Sequence, residues 1–135
     1  MSRRKARELA FQVLFQVDQV DAEPRQAFDY LVRDKYGSLD VQYRMFSWKL
    51  VEGCLEKLSE IDARIARYSR DWEINRMPSV DRNIMRVAAY EILYMENSQE
   101  VVAIDEAIEI AKKYGDEGSA GFVNAILDKI LGEKK

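Results

Sequence analysis

Histidine does not occur anywhere in this chain of 135 residues. That absence removes histidine-based triads, histidine general bases and histidine-ligated metal sites. Cys54 is the only cysteine, so neither an intramolecular disulfide nor a thiolate zinc site can be built, and a cytoplasmic setting is expected. Its neighbours Leu50, Val51, Leu55 and Leu58 mark Cys54 as a small buried hydrophobe. Two prolines and six glycines are too few for a chain of tight hairpins. No apolar run approaches the ~18 residues that span a bilayer, and the basic start is followed by no signal-peptide core. The glycines of "GDEGSAG" (115–121) follow no strand and carry no Gly-Lys-Ser/Thr, and Asp116 and Glu117 would repel phosphate. No pair of carboxylates stands out by spacing, so the composition points away from an enzyme and asks for no cofactor.

Helical spacing is what the chain has in abundance. Ala6, Leu9, Ala10, Val13, Leu14 and Val17 share one face of a first helix. "DAEPRQ" (21–26) breaks it, with Pro24 suited to the first position of the next helix. Phe28, Leu31 and Val32 continue that second helix to "YGS" (36–38). From Asp40 to Trp72 a long seam runs through Val51, Cys54, Leu58, Ile61, Ile65, Tyr68 and Trp72, with a bend expected at a cap on Ser59. "SVDRNIMRVAAYEILYM" starts from Ser79 as expected N-cap, with Asp81 favourable in the first turn. Its apolar residues leave only a strip around Arg82 and Arg86, so this helix should be central, with Glu91 paired to a buried Arg or Tyr. Ala103, Ile104, Ala107, Ile108, Ala111 and Tyr114 define another helix ending at Gly115, where Glu109–Lys113 suits an i,i+4 pair. Val123, Ile126, Leu127 and Ile130 define the last. The expectation is a single all-α domain of six or seven packed helices.

The charge is unevenly placed. Net charge is −3, yet Arg3, Arg4, Lys5 and Arg7 form a run with no acid, leaving 17 cations against 24 acids in the rest. A helix start favours anions, so these cations are not there for the helix dipole. Arg4, Arg7, Phe11 and Phe15 fall on one flank, and cations with rings beyond them suit single-stranded nucleic acid, where charges hold phosphates and a ring stacks a base. Alternatively the rings belong to a wide core face and the arginines form a solubilising tail. An anionic membrane surface is a third reading.

The order and spacing of four blocks carry a resemblance. "RRKARELAFQVLFQ" at the start, "VDRNIMRVAAYEILY" (80–94), "VAIDEAIEIAKKYG" (102–115) and "FVNAILDKI" (122–130) together resemble the NusB family of bacterial transcription antitermination factors. The resemblance covers nearly the whole chain. It implies a compact all-α bundle of about seven helices in two small sub-bundles, roughly residues 1–75 and 78–135 of one domain, without catalytic activity. It implies binding of boxA, a short single-stranded RNA element notable in ribosomal RNA operons, together with NusE, a ribosomal small-subunit protein. Other Nus factors and RNA polymerase would be reached indirectly, and no membrane is involved.

The family's arginine-rich motif maps onto Arg3, Arg4, Lys5 and Arg7, and its following aromatic onto Phe15. Phe122 matches the phenylalanine of "FVN" at the RNA surface, with Lys129 beside it on the last helix. Asp81 matches an acidic position at the partner surface. Gly121 stands where a basic residue is common, and Ala125 replaces the usual glycine after "FVN". NusB-like domains also serve RNA-modifying enzymes, so a stand-alone adaptor for such an enzyme, or one that binds only protein, is the alternative.

Overall fold

The computed structural model describes residues 2–70, 72–95 and 100–134. Among these residues seven helices follow one another: α1 (Ser2–Val20), α2 (Pro24–Asp34), α3 (Val41–Glu56), α4 (Leu58–Tyr68), α5 (Ser79–Tyr94), α6 (Glu100–Tyr114) and α7 (Ser119–Lys134). Among the described residues there is no strand, and no helix is long and apolar enough to cross a membrane.

Local chemistry explains the first breaks. Asp21 ends α1 with a positive φ of 54°, a left-handed conformation that aspartate tolerates better than most residues. Glu23 then caps α2 by accepting from the backbone N–H groups of Arg25 and Gln26, and Pro24 occupies the first helical position as expected. The bend expected at Ser59 falls earlier, at Lys57. Pro78, not Ser79, precedes the first residue of α5. Trp72 lies beyond the end of α4 and is largely exposed, so the seam stops at Tyr68.

Helix α5 is the centre of the molecule, packed against α1, α3, α4, α6 and α7. Helices α2 and α3 flank α1, α7 packs on α6, and α4 lies chiefly against α5 and α7. One continuous core runs through Leu9, Leu50, Ile61, Ile65, Met85, Ile92, Leu127 and Ile130, all fully enclosed. Each such aliphatic side chain contributes ~1.5–3 kcal/mol by leaving water. Ile110, which the spacing did not single out, is also buried, whereas Ile108 is only half-buried.

The narrow strip that the apolar residues of α5 leave around Arg82 and Arg86 is a buried polar seam. Arg82 donates through Nε and Nη2 to Asp18 Oδ2 at 2.9 and 2.7 Å, and Asn83 donates to the same oxygen at 2.8 Å. Arg86 makes a two-pronged pair with Asp62 of α4, both bonds 2.8 Å. Arg82 Nη1 also donates to the carbonyls of Ile74 and Met77, gripping the irregular segment before α5. A guanidinium carries enough donors to tie α1 and that segment to α5 at once. The Cys54 thiol donates to the Arg86 carbonyl in the apolar interior, and burial pushes its pKa far up.

Candidate nucleic-acid interface

Arg3, Arg4 and Lys5 project from the first turn of α1 and are exposed. Arg4 meets Glu106 of α6 in a two-pronged bond of 2.7 and 2.8 Å. The hydrogen bonds and the charge hold the Glu106 carboxyl below its ordinary range and push the guanidinium pKa up. Arg3 places its guanidinium 4.3 Å from the centre of the Phe46 ring. Among the described residues neither Arg3 nor Lys5 has a carboxylate partner.

Arg7 departs from the expected cluster. It is 6 % exposed and turned inward, donating to Glu91 through Nε at 2.9 Å and Nη2 at 2.6 Å. The expectation that Glu91 pairs with a buried arginine is met by Arg7, which is thereby withdrawn from any phosphate. Its place one helical turn after Arg3 and Arg4 puts it over the core face rather than beside it.

Helices α1 and α6 advance side by side, so Arg4 faces Glu106, Glu8 faces Lys113, and Gln12 faces Tyr114. Between them lies a groove of about 450 Å³, lined by Arg4, Lys5, Lys112 and Lys113 with Glu8 and Glu109. Lys113 donates to Glu8 at 2.9 Å and not to Glu109, which takes Lys112 at 3.5 Å, so the expected i,i+4 pair is replaced. The hydrogen bond and charge of Glu8 raise the Lys113 pKa. Glu8 also accepts from Tyr114, which accepts from Gln12, whose side-chain oxygen accepts from Tyr36. This chain fixes Lys113 from below. The helical spacing links Lys113 only to Glu109, one turn earlier, and nothing local ties it or Lys112 to residues a hundred positions earlier.

The aromatic positions stand apart from the groove. Phe15 is half-buried, its ring 6.1 Å from that of Phe11, which in turn packs 5.3 Å from Tyr114. Phe11 itself is buried, whereas Phe15 opens onto a depression shared with Gln16, Lys35, Val80 and Tyr114. Phe122 is half-buried in the first turn of α7, and Lys129 is exposed two turns on. Seven residues bring the pair back to one helix face, about 10.5 Å apart along the axis.

Asp81, expected at a partner surface, is 4 % exposed. Its Oδ1 has no hydrogen-bond partner; burial pushes the carboxyl pKa up, and a hydrogen bond with Ser119 at the start of α7 opposes that. It is therefore enclosed under the α6–α7 connection and presents no surface. Gly115 directly follows the last residue of α6, as expected, and donates to the Ala111 carbonyl at 2.8 Å, but it does so without a positive φ. It is required by close approach, because a Cβ there would lie 2.5 Å from Ser119 Oγ.

Comparison with known proteins bears on this geometry. The NusB family model matches residues 4–132. The transcription antitermination protein NusB of Syntrophomonas wolfei subsp. wolfei is 71% identical over 134 residues, covering 99% of this chain and 98% of that one. The solved T. maritima NusB superposes with a TM-score of 0.88 at 40% identity, covering 97% of this chain and 91% of that chain. A chain in a crystal structure of antitermination factors NusB and NusE in complex with dsRNA gives a TM-score of 0.90 at 27% identity, covering 98% and 97%.

Proposed function

The chain belongs to the NusB family, and from that premise we propose that it is a transcription antitermination factor that binds boxA-type single-stranded RNA together with NusE. The near-full-length 71% identity to an antitermination protein is the observation that carries this reading. The protein acts in the cytoplasm, without catalysis or cofactor, and reaches other Nus factors and RNA polymerase through the assembly it joins.

The RNA backbone runs along the α1–α6 groove, where Arg4, Lys5 and Lys112 neutralise phosphates and Lys113, held by Glu8, lines the path, with Arg3 adding a cation on the neighbouring first turn of α1. Phe15 and Phe122 offer ring surface to unpaired bases, and Lys129 adds a cation beside Phe122. Arg7 and Asp81 stand behind this surface and hold its helices in place.

The test is fluorescence anisotropy of a labelled boxA RNA and a scrambled control, with and without NusE, for wild type and Arg3→Ala/Lys5→Ala. The expected result is a preference for boxA that grows with NusE and collapses in the variant. Equal weak binding to both RNAs, unmoved by NusE or by the substitutions, overturns the proposal.

A further inference from the structure

A second surface, sharing no residue with the proposed RNA path, lies between α2 and α3. There a groove of about 480 Å³ has an aliphatic wall that solvent reaches, with Val41 63% and Met45 67% exposed. Isolated exposed hydrophobes are ordinary, but two a helical turn apart on the rim of one groove form a continuous apolar edge. Val32 on the facing helix and the buried Phe28 extend that edge inward.

The charge around this edge opposes that of the protein as a whole. Arg25 is already paired with Asp29 at 3.1 Å. That leaves Arg33, Arg44 and Lys49 against Glu52 alone among the lining residues. Arg44 is further marked by a buried Nε with no hydrogen-bond partner among the described residues. A carboxylate brought by another molecule would meet the Arg44 guanidinium beside Arg33 and Lys49 on this rim.

The groove is not built to stack bases. Trp48 is its largest ring, and Phe28 packs edge-on against it at 5.2 Å while Arg25 lies 4.8 Å from its centre. Phe28 itself is 3% exposed. The surface left open is the aliphatic Val41 and Met45, which gives a nucleobase nothing to stack on.

We propose that the α2–α3 groove docks an acidic amphipathic peptide segment of a protein partner, its apolar side chains against Val41 and Met45 and its carboxylates on Arg33, Arg44 and Lys49. This is the helix-in-groove mode of recognition, with electrostatic complementarity selecting the partner.

The probe is a fluorescein-labelled peptide EDLFEDLFED, compared with KKLFKKLFKK, in which every acid is lysine and the apolar residues are kept. Binding to the full chain is followed by anisotropy. The acidic peptide should bind at least about tenfold more tightly than the lysine peptide. Arg33→Glu and Lys49→Glu should each weaken it about fivefold, as reversal of one exposed ion pair would. Met45→Asp should weaken it more, and because Met45 is exposed the fold is kept, which thermal melting checks. BoxA RNA binding should be unchanged in all three variants. Equal affinity for the two peptides overturns the proposal, as does displacement of the acidic peptide by single-stranded RNA. So does sedimentation showing that Met45→Asp dissociates a dimer built on this groove.

Discussion

Arg7 and Glu91 face each other across α1 and α5 as a two-pronged ion pair, with bonds of 2.9 and 2.6 Å and side chains only 7% and 4% exposed. Breaking a pair of this kind strands the surviving charge in the core, so Arg7→Ala or Glu91→Ala should each cost about 3–5 kcal/mol in urea unfolding. The double variant Arg7→Met/Glu91→Leu should be more stable than either single one. RNA affinity of the folded fraction of Arg7→Ala should stay near wild type, which separates a structural arginine from a phosphate-binding one.

On the proposed RNA path Glu106, which takes both Arg4 bonds, competes with phosphate for that guanidinium. Replacing it by glutamine removes a competitor for that guanidinium, which is 44% exposed at its side chain. Glu106→Gln should therefore tighten boxA binding about two- to fivefold at low salt, with the gain fading as salt screens the surface. Weaker binding in the variant would show that Glu106 orients Arg4 for the RNA instead.

The aromatic and cationic contributions are separable by salt. If Arg3, Arg4, Lys5 and Lys112 each neutralise one phosphate, the log–log slope should be about −2.8, a loss of about 50-fold between about 50 and 200 mM salt. Phe122→Leu and Phe15→Leu, which keep apolar volume but remove the ring, should each cost ~1–3 kcal/mol of RNA binding with the slope unchanged. A loss of folding stability with full affinity would place the rings in the core alone.

Two aspartates should respond to pH with opposite sign. Burial pushes the Asp81 carboxyl up, against its hydrogen bond with Ser119. The folded chain thus holds that proton more tightly than the unfolded one, and the associated stability is lost as pH rises through the folded pKa. Burial also pushes Asp18 up, but hydrogen bonds with Asn83 and Arg82 and the Arg82 and Arg86 charges outweigh it and hold the group down. Its contribution is present above the ordinary aspartate range and is lost as pH falls through its folded pKa. In urea midpoints measured from about pH 3 to 7, Asp81→Asn should gain on wild type as pH rises, while the deficit of Asp18→Asn should shrink below about pH 4. Parallel curves for all three proteins would refute both assignments.

Gly53 allows α3 and α5 to touch, because a Cβ there would overlap the Tyr90 ring. Gly53→Ala must displace that ring from its stack on Tyr94, 5.5 Å away. The expected cost is about 1–3 kcal/mol by thermal melting, and Tyr90→Leu in the same chain should recover part of it.

The helices were legible in the sequence because one-sided apolar spacing is a local property, and α5 was legible as central because its hydrophobes surround it. What pairs with what was not. The four N-terminal cations read as one cluster, but the fates of Arg3, Arg4 and Arg7 were set by Phe46, Glu106 and Glu91, which lie far along the chain. Arg82 and Arg86 read only as a gap in the apolar face of α5, because their partners Asp18 and Asp62 sit on other helices. Asp81 looked like a surface acid because its burial comes from the α6–α7 connection folding over it. At the site, the resemblance named Phe15 and Phe122, whereas Lys112 and Lys113 joined the surface only once α6 lay beside α1.

Arg82 grips the segment before α5 by the carbonyl oxygens of Ile74 and Met77, not by any side chain there. Every amino acid carries that oxygen. The path of the segment is thus held largely through backbone oxygens, Ser69 Oγ donating likewise to the Trp72 carbonyl, while Ile74 keeps its packing on the core and the identities at the exposed positions 72, 73, 75 and 76 are left largely free. In related chains this stretch should drift in sequence while keeping its shape, so long as an arginine persists at the position of Arg82.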